Sequence, residues 1–339
     1  MSIPKLAALM TTYNTAPYVQ ATIDSVLAQS FTDFELVIVD DGSSDETVDL
    51  IRRYQDPRIR LYCRSENKGV GYSLQEALQY VRSPYVIKVD SDDLSHPERF
   101  AKQLQYLQAN PELAVVKCYI EAFAESDDPE TLERLVTRQR DYAVANQINS
   151  EHLISENLPR WLCVEHTSYC AQTAAIRAVG YLDQRLCEDY SLFYRLHEQG
   201  YRFGCVPEFL VQVRVNPQSV TAQVNTERLR SWFGCVFDMK FKRILQLKGD
   251  VSGVAIYGSG GLARLMYQIL IQHDIAVLNF IEQTEKAPID IDGQQIPVLA
   301  LHHCLQQKIV IAAQPVRLQV MQQLNGLGLT EWRDFMVIA

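Results

Sequence analysis

The chain is short of several things, and each shortage closes off a class of function. No apolar run in its 339 residues approaches the ~20 needed to cross a bilayer as a helix, so no transmembrane span is expected. The opening Met1-Ser2-Ile3-Pro4-Lys5-Leu6 has neither the basic region nor the long apolar stretch of a secretion signal. The expected location is the cytoplasm. Basic residues are outnumbered: 32 Lys and Arg stand against 41 Asp and Glu, a net charge of −9. A general nucleic-acid binder would carry a basic face, so that class is set aside. The eight cysteines, at 63, 118, 163, 170, 187, 205, 235 and 304, include no Cys-x-x-Cys pair. Their spacing suits neither a zinc site nor a redox motif, and they read as reduced thiols, most of them small core residues. What remains is ordinary for a soluble globular chain: 47% hydrophobic, 22% charged, and length for roughly two domains.

One stretch organises the rest. Tyr85-Val86-Ile87-Lys88-Val89 reads as a buried strand, and Asp90-Ser91-Asp92-Asp93 follows it directly. In open α/β sheets the carboxyl ends of strands are where ligands bind. Carboxylates this close repel one another and call for a counter-charge. A divalent cation supplies it, and hard oxygen ligands suit magnesium or manganese, which also take diphosphate oxygens. The competing reading is an acidic turn that caps the next helix, with Asp93 or Ser95 as N-cap before Pro97.

Strands and helices alternate before and after this point. Residues 5–12, 34–39 and 59–62 read as strands, and 18–29, 47–54 and 72–81 as helices. That order predicts a mostly parallel, doubly wound α/β sheet. A second strand also ends in acids, Asp40-Asp41, followed by Gly42-Ser43. Two acidic strand ends on one edge could surround a single nucleotide, where turn chemistry alone is the plainer account of residues 40–43. Residues 97–110 form an amphipathic helix, 114–120 a strand, and 174–180 a short helix closed by glycine. Residues 125–160 look like a charged, irregular insertion with one or two helical segments. After the loop Arg185-Leu186-Cys187, Glu188-Asp189-Tyr190 opens another helix. Its acids either complement the helix dipole or present a general base to a cleft. Residues 201–215 make one or two strands.

These motifs together resemble a family. Thr11-Thr12-Tyr13-Asn14, Val39-Asp40-Asp41-Gly42-Ser43, Asp90-Ser91-Asp92-Asp93 with His96-Pro97-Glu98-Arg99-Phe100, and Glu188-Asp189-Tyr190 make residues 5–220 similar to a family 2 glycosyltransferase with the A-type nucleotide-sugar fold. The resemblance implies an inverting, metal-dependent enzyme. It would move a sugar from a nucleotide sugar, a UDP-sugar, to a hydroxyl of a glycan or lipid-linked acceptor, as in polysaccharide biosynthesis. Thr11 and Tyr13, with Asn14, would hold the base. Asp40 or Asp41 would meet the uracil edge, Asp90 and Ser91 the ribose side, and Asp92 with Asp90 the Mn2+ or Mg2+. Asp189 would be the base, with Glu188 its neighbour. Two departures stand out. Ser73-Leu74-Gln75 replaces a common Ala-Arg-Asn, so an arginine contact to the nucleotide would be either missing or supplied by Lys68. Asn216, after Arg214, stands where many members have a histidine. His166 falls among acceptor-side positions.

The tail is organised differently. Residues 226–249 read as a basic, aromatic-rich helical connector, or as a surface making peripheral membrane contact. From 250 to 339 the strand–helix pattern restarts. Gly258-Ser259-Gly260-Gly261-Leu262-Ala263 lies between strand and helix, with Glu282 after the second strand, as in a dinucleotide-type turn. About ninety residues and four strands predict a small Rossmann-like domain. The expected division is therefore 1–225 for the transferase, 226–249 for the connector and 250–339 for the Rossmann-like part. A nucleotide-binding scaffold with a vestigial site, or an oxidoreductase run by the tail, are the other readings.

Overall fold

The computed structural model describes residues 3–182, 186–216, 226–312 and 316–338, so Arg185 and Pro217 lie outside the described residues. The chain forms two compact units, Met1–Val224 and Asn225–Ala339. The first runs β1 (Leu6–Thr12), α1 (Val19–Leu27), β2 (Phe34–Asp40), α2 (Thr47–Arg52), β3 (Ile59–Cys63), α3 (Val70–Tyr80), β4 (Tyr85–Asp90) and β5 (Leu94–Ser95). It continues through α4 (Arg99–Ala109), β6 (Leu113–Phe123), α5 (Pro129–Gln147), α6 (Glu151–Asn157), a 3-10 turn (His166–Ser168), β7 (Cys170–Gln172), α7 (Thr173–Val179), α8 (Glu188–Glu198) and β8 (Arg202–Arg214).

Its eight-stranded sheet has the order β3-β2-β1-β4-β7-β6-β8-β5. The strands β3, β2, β1 and β4 are parallel, and the inner ones read as mostly apolar runs, as expected of strands covered on both faces. β1 and β2 are buried along nearly their whole length. Each fully buried Val, Leu or Ile there contributes about 1.5–3 kcal/mol. Register then decides the site: Thr12 pairs with Asp40 and Thr11 with Asp90, so the two acid-bearing strand ends come level with the end of β1 at one edge.

Three expectations change in this unit. β7, unread in the sequence because it is three residues long, runs antiparallel to both β4 and β6. The stretch 125–160 is regular rather than irregular: α5 spans nineteen residues and begins at an Asp128 cap that accepts from Thr131 N. The capping reading of the acidic turn fails. Helix α4 starts only at Arg99, after Glu98, with no side-chain cap, and Ser95 belongs to β5.

The second unit holds α9 (Thr226–Lys248), β9 (Val254–Tyr257), α10 (Gly261–Gln272), β10 (Val277–Glu282), β11 (Lys286–Ile291), β12 (Gln294–Ala300), β13 (Ile309–Ile311), α11 (Arg317–Gly326) and β14 (Phe335–Val337). Its sheet has six strands in the order β11-β12-β10-β9-β13-β14, two more than expected. The extra pair is the β11–β12 hairpin, turned by Asp292-Gly293 with both φ values positive, 53° and 83°. That Asp-Gly pair is a hairpin signal in its own right. Helix α9 buries Phe233, Phe237, Ile244 and Leu247, and its buried Lys240 donates to the Ile338 carbonyl. These apolar and hydrogen-bonded contacts are packing within the second unit.

Candidate active site

The strand ends are held by their own side chains. Thr12 Oγ1 donates to Asp40 Oδ2 at 2.8 Å, and Ser43 donates to Asp40 from both its amide, 2.9 Å, and its hydroxyl, 2.5 Å. Asp41 accepts from Arg64 Nη1 at 2.8 Å, from Lys68 N at 3.0 Å and from Gly69 N at 2.8 Å. Between them Gly42 has φ +79°, and a Cβ there would meet the Glu66 carbonyl carbon at 2.9 Å. Both carboxylates are thus buried and bonded to the loops that follow β2 and β3. Asn14, also left-handed at φ 53°, ties the first loop to the second by accepting from Ser44 N at 2.8 Å. Tyr13 beside it is 48% exposed, with a ring free to receive a flat group. Tyr72 lies between the Arg64 guanidinium, 4.4 Å from its ring centre, and the Lys68 ammonium, 4.9 Å. Arg64 was not among the sequence candidates. Thr11 is half-buried at the end of β1.

At the end of β4 the charges are less settled. Lys88 is fully buried; its ammonium pairs with Asp90 and donates to the Val89 carbonyl at 3.0 Å. Burial alone would raise the Asp90 carboxyl, but the charge and hydrogen bond of Lys88, together with His166 and Arg99, outweigh it and hold Asp90 below the usual range. Asp92 and Asp93 go the other way. Burial, then the charge of Asp90, raises Asp92; burial, then Asp92 and Asp90, raises Asp93 well above an ordinary carboxylate. The turn is braced from β8: Arg214 N donates to Asp93 Oδ1 at 3.0 Å, Arg214 Nε to the Asp92 carbonyl at 2.8 Å, and Asn216 Nδ2 to Asp92 Oδ2 at 3.3 Å. The Arg214 guanidinium also pairs with Glu125 and stacks on Phe123 and Tyr18. Ser91 is buried within the turn.

The third wall comes from the 3-10 turn and α8. Cys187 takes a left-handed φ of 66° immediately before the helix and so presents Glu188 and Asp189 at its first turn. Asp189 Oδ1 accepts from Tyr190 N at 2.6 Å. Burial raises Asp189 to about 6, with the charge of Asp90 adding to the rise. Burial, then Asp189, raises Glu188 to about 8, and Asp90 again contributes. Asp90 therefore acts on both acids of α8: the turn after β4 and the start of α8 share one electrostatic environment. Glu165, missed in the sequence, is lifted to about 7 by burial and then by Asp189. His166 Nδ1 lies 3.7 Å from Glu188 Oε1, and its Nε2 is 3.0 Å from the Tyr181 hydroxyl. Burial, then the Lys88 charge, lowers His166 to about 3, so it stands neutral.

Perturbed carboxyls clustered in this way mark functional sites more often than structural ones. Among the described residues, no three His, Cys, Asp or Glu side chains form a ready-made ligand set. Asp90 and Asp92 nonetheless fit a hard divalent ion. They are oxygen donors with excess negative charge, and magnesium and manganese commonly use one or two carboxylates and draw the rest from water and phosphate.

Comparison with known proteins identifies the family. The sequence profile of "Glycosyl transferase family 2" matches residues 7–177. An uncharacterized glycosyltransferase of Haemophilus influenzae is 24% identical over 272 residues, covering 79% of this chain and 96% of that protein. A shorter stretch of 108 residues is 43% identical to the bifunctional glycosyltransferase pgtA of Dictyostelium discoideum, covering 30% of this chain; the chain spans only 14% of that protein. Two solved structures share the fold. TarS 1–349 of S. aureus in complex with UDP-GlcNAc aligns with a TM-score of 0.54 at 15% identity, covering 79% of this chain and 72% of that one. The mannosyltransferase PcManGT of Pyrobaculum calidifontis in complex with GDP-Man and Mn2+ aligns at 0.52 and 20%, covering 72% and 65%. No helix among the described residues is long and apolar enough to cross a membrane.

Proposed function

Because the chain belongs to glycosyl transferase family 2 and is a glycosyltransferase, we propose that it transfers a sugar from a UDP-sugar to a glycan or lipid-linked acceptor hydroxyl with inversion, using a divalent metal. One observation carries this reading: the charge of Asp90 reaches both Glu188 and Asp189, so the turn after β4 and the helix that would carry the base lie close enough to feel one another's charge.

The residues divide by wall. Tyr13 offers its exposed ring to the base, with Thr11 and Asn14 beside it. Asp40, Asp41 and Lys68 shape the loops around the nucleoside. Asp90 and Ser91 face the ribose, and Asp90 and Asp92 would hold the metal. A divalent ion bound there would neutralise charge gathering on the departing diphosphate. Asp189 is the base. Its carboxylate takes the proton of the acceptor hydroxyl as that oxygen bonds to the anomeric carbon and the bond to the diphosphate breaks. A single displacement inverts the anomeric configuration. The neutral His166 and raised Glu188 keep further charge away from that step. The complexes of TarS with UDP-GlcNAc and of PcManGT with Mn2+ support the donor class and the metal.

The experiment is a thermal-shift screen of nucleotide sugars with and without Mn2+. UDP with Mn2+ should raise the melting temperature, and Asp92→Ala should abolish the shift. A shift by UDP that is equal without metal and unchanged in Asp92→Ala overturns the metal assignment.

A further inference from the structure

The motif His96-Pro97-Glu98-Arg99-Phe100 has a member that the reaction above leaves unused. Arg99 is fully buried, and every acceptor it reaches is neutral. Its Nε donates to Gln103 Oε1 at 3.1 Å, Nη1 to Ser95 Oγ at 3.0 Å, and Nη2 to the carbonyls of Lys88 at 2.7 Å and Thr167 at 2.5 Å. Gln103, fully buried one turn later, donates to the carbonyls of Ser168 at 2.8 Å and Val116 at 3.2 Å. Arg99 thus joins Lys88 of β4 to the 3-10 turn, beside the main-chain bond from Lys88 N to the Tyr169 carbonyl at 3.2 Å, and Gln103 joins the same turn to β6 while holding Arg99 Nε. On one side of the join, Lys88 pairs with Asp90. On the other, His166 sits beside Glu188.

Burying a guanidinium with no carboxylate hydrogen-bonded to it is expensive. Burial lowers the Arg99 pKa, and the nearby charges of Asp93 and Asp90 oppose that cost without cancelling it. What the guanidinium offers instead is a rigid fork of donors at fixed angles. We propose that Arg99 and Gln103 form a positioning clasp that sets the gap between the Asp90–Asp93 turn and the His166–Ser168 wall, so that occupation of the donor side is transmitted to the acceptor side. The clasp rests on the donor and acceptor assignments proposed above. Both residues act through others, and neither touches substrate.

The test is amide hydrogen exchange on the full chain, with UDP and Mn2+ as the probe. In the native protein, saturating UDP with Mn2+ slows exchange at residues 90–93 and also at 166–169. In Arg99→Lys the slowing at 90–93 and the UDP affinity persist, while the ligand-induced slowing at 166–169 shrinks by about 2- to 30-fold. A merely structural weakening would speed exchange at 166–169 with and without ligand and leave the ligand-induced ratio intact. That result overturns the clasp. Should Arg99→Lys fail to fold, Gln103→Leu decides. It cuts the link to Ser168 and also removes the acceptor that orients Arg99 Nε, so an undiminished ligand-induced ratio in it is equally fatal. A native protein that responds at 90–93 and not at 166–169 removes the clasp and leaves the donor site standing. One that responds at neither overturns the donor assignment, and the clasp with it.

Discussion

Both units carry acids around a mostly parallel sheet, yet those beyond β4 and before α8 in the first unit are held differently from those of the second. In the second unit Glu282, at the end of β10, accepts from the Ser259 hydroxyl and pairs with Lys286 at 3.3 Å. Asp334 accepts from Arg333 and lies 3.5 Å from Lys308, and the Arg333 bond above all holds it below the usual carboxylate range. In the first unit Asp92, Asp93, Glu165, Glu188 and Asp189 are all pushed upward, in each case by burial first. Burial as such does not explain the contrast. Glu35, buried at the far end of β2, overcomes its burial by accepting from Arg82, Arg60 and Ser83, and ends below the ordinary value. Acids near the start of β2 are matched with partners, and those beyond β4 and before α8 are left in tension. Local rules are commonly broken where a ligand is expected to complete them.

The sharpest way to break that comparison is at the proposed base. Asp189→Asn keeps shape and removes the proton acceptor, so donor turnover should fall by about 10²–10⁴-fold. UDP affinity should barely change. The measurements are initial rates of UDP release and a UDP titration. Unchanged turnover would remove Asp189 from the mechanism and make its raised pKa a structural accident.

The second largest effect is a trade. Asp92→Asn removes one member of a mutually repelling group, so the ligand-free protein should melt higher than the native one. The stabilisation by UDP with Mn2+ should disappear in the same variant. Melting curves with and without ligand read both. If Asp92→Asn melts lower without ligand, the tension inferred at the strand end is absent.

The pH dependence separates the two units. Asp189, Glu165 and Glu188 sit near about 6, 7 and 8 in the folded chain. Unfolded carboxyls titrate near about 4. The folded state therefore holds protons that the unfolded chain releases, so the stability from these groups is full below about pH 4 and is lost as pH rises through 6 to 8. Asp334 has the opposite sign: its contribution is present above about pH 4 and fades only as pH falls through its lowered value. From pH 5.5 to 8, exchange-derived stability should drop in the first unit and stay flat in the second. Parallel slopes would mean that the two acid sets differ only in appearance.

How much of this was legible follows from range. The parallel strands β1, β2 and β4 are long apolar runs, and their acidic ends stand next to them in sequence, so both fold and donor turn could be read directly. Glu188 and Asp189 were found because they open a helix. Lys88 and Glu165 were not, since their significance lies in neighbours supplied by folding: Lys88 looks like a blemish in an apolar strand until Asp90 closes on it. Arg64 was hidden for the same reason, meeting Asp41 across 23 residues. The clasp was printed in the sequence as a motif without a role, because Thr167 and Ser168, its acceptors, lie more than sixty residues away. In the second unit the Asp292-Gly293 hairpin was readable and was passed over for the glycine-rich turn.

The smallest effect is expected where the second unit looks most like a site. Glu282 sits at the end of β10 facing the glycine-rich turn, the position an acid takes in a dinucleotide-type fold. Its partners, though, are already within the chain: the Ser259 hydroxyl and Lys286 four residues on. Gly260 and Gly261 have open space where a Cβ would stand, so strand–helix packing does not demand them. Glu282→Gln keeps a hydrogen-bond acceptor for Ser259 and loses a mostly solvent-screened ion pair. It should cost about 0–1 kcal/mol in chemical denaturation and leave UDP-sugar turnover unchanged. A loss of turnover comparable to that of Asp189→Asn would place a working acid in the second unit, and the contrast between matched and tense carboxylates would no longer mark where the chemistry is.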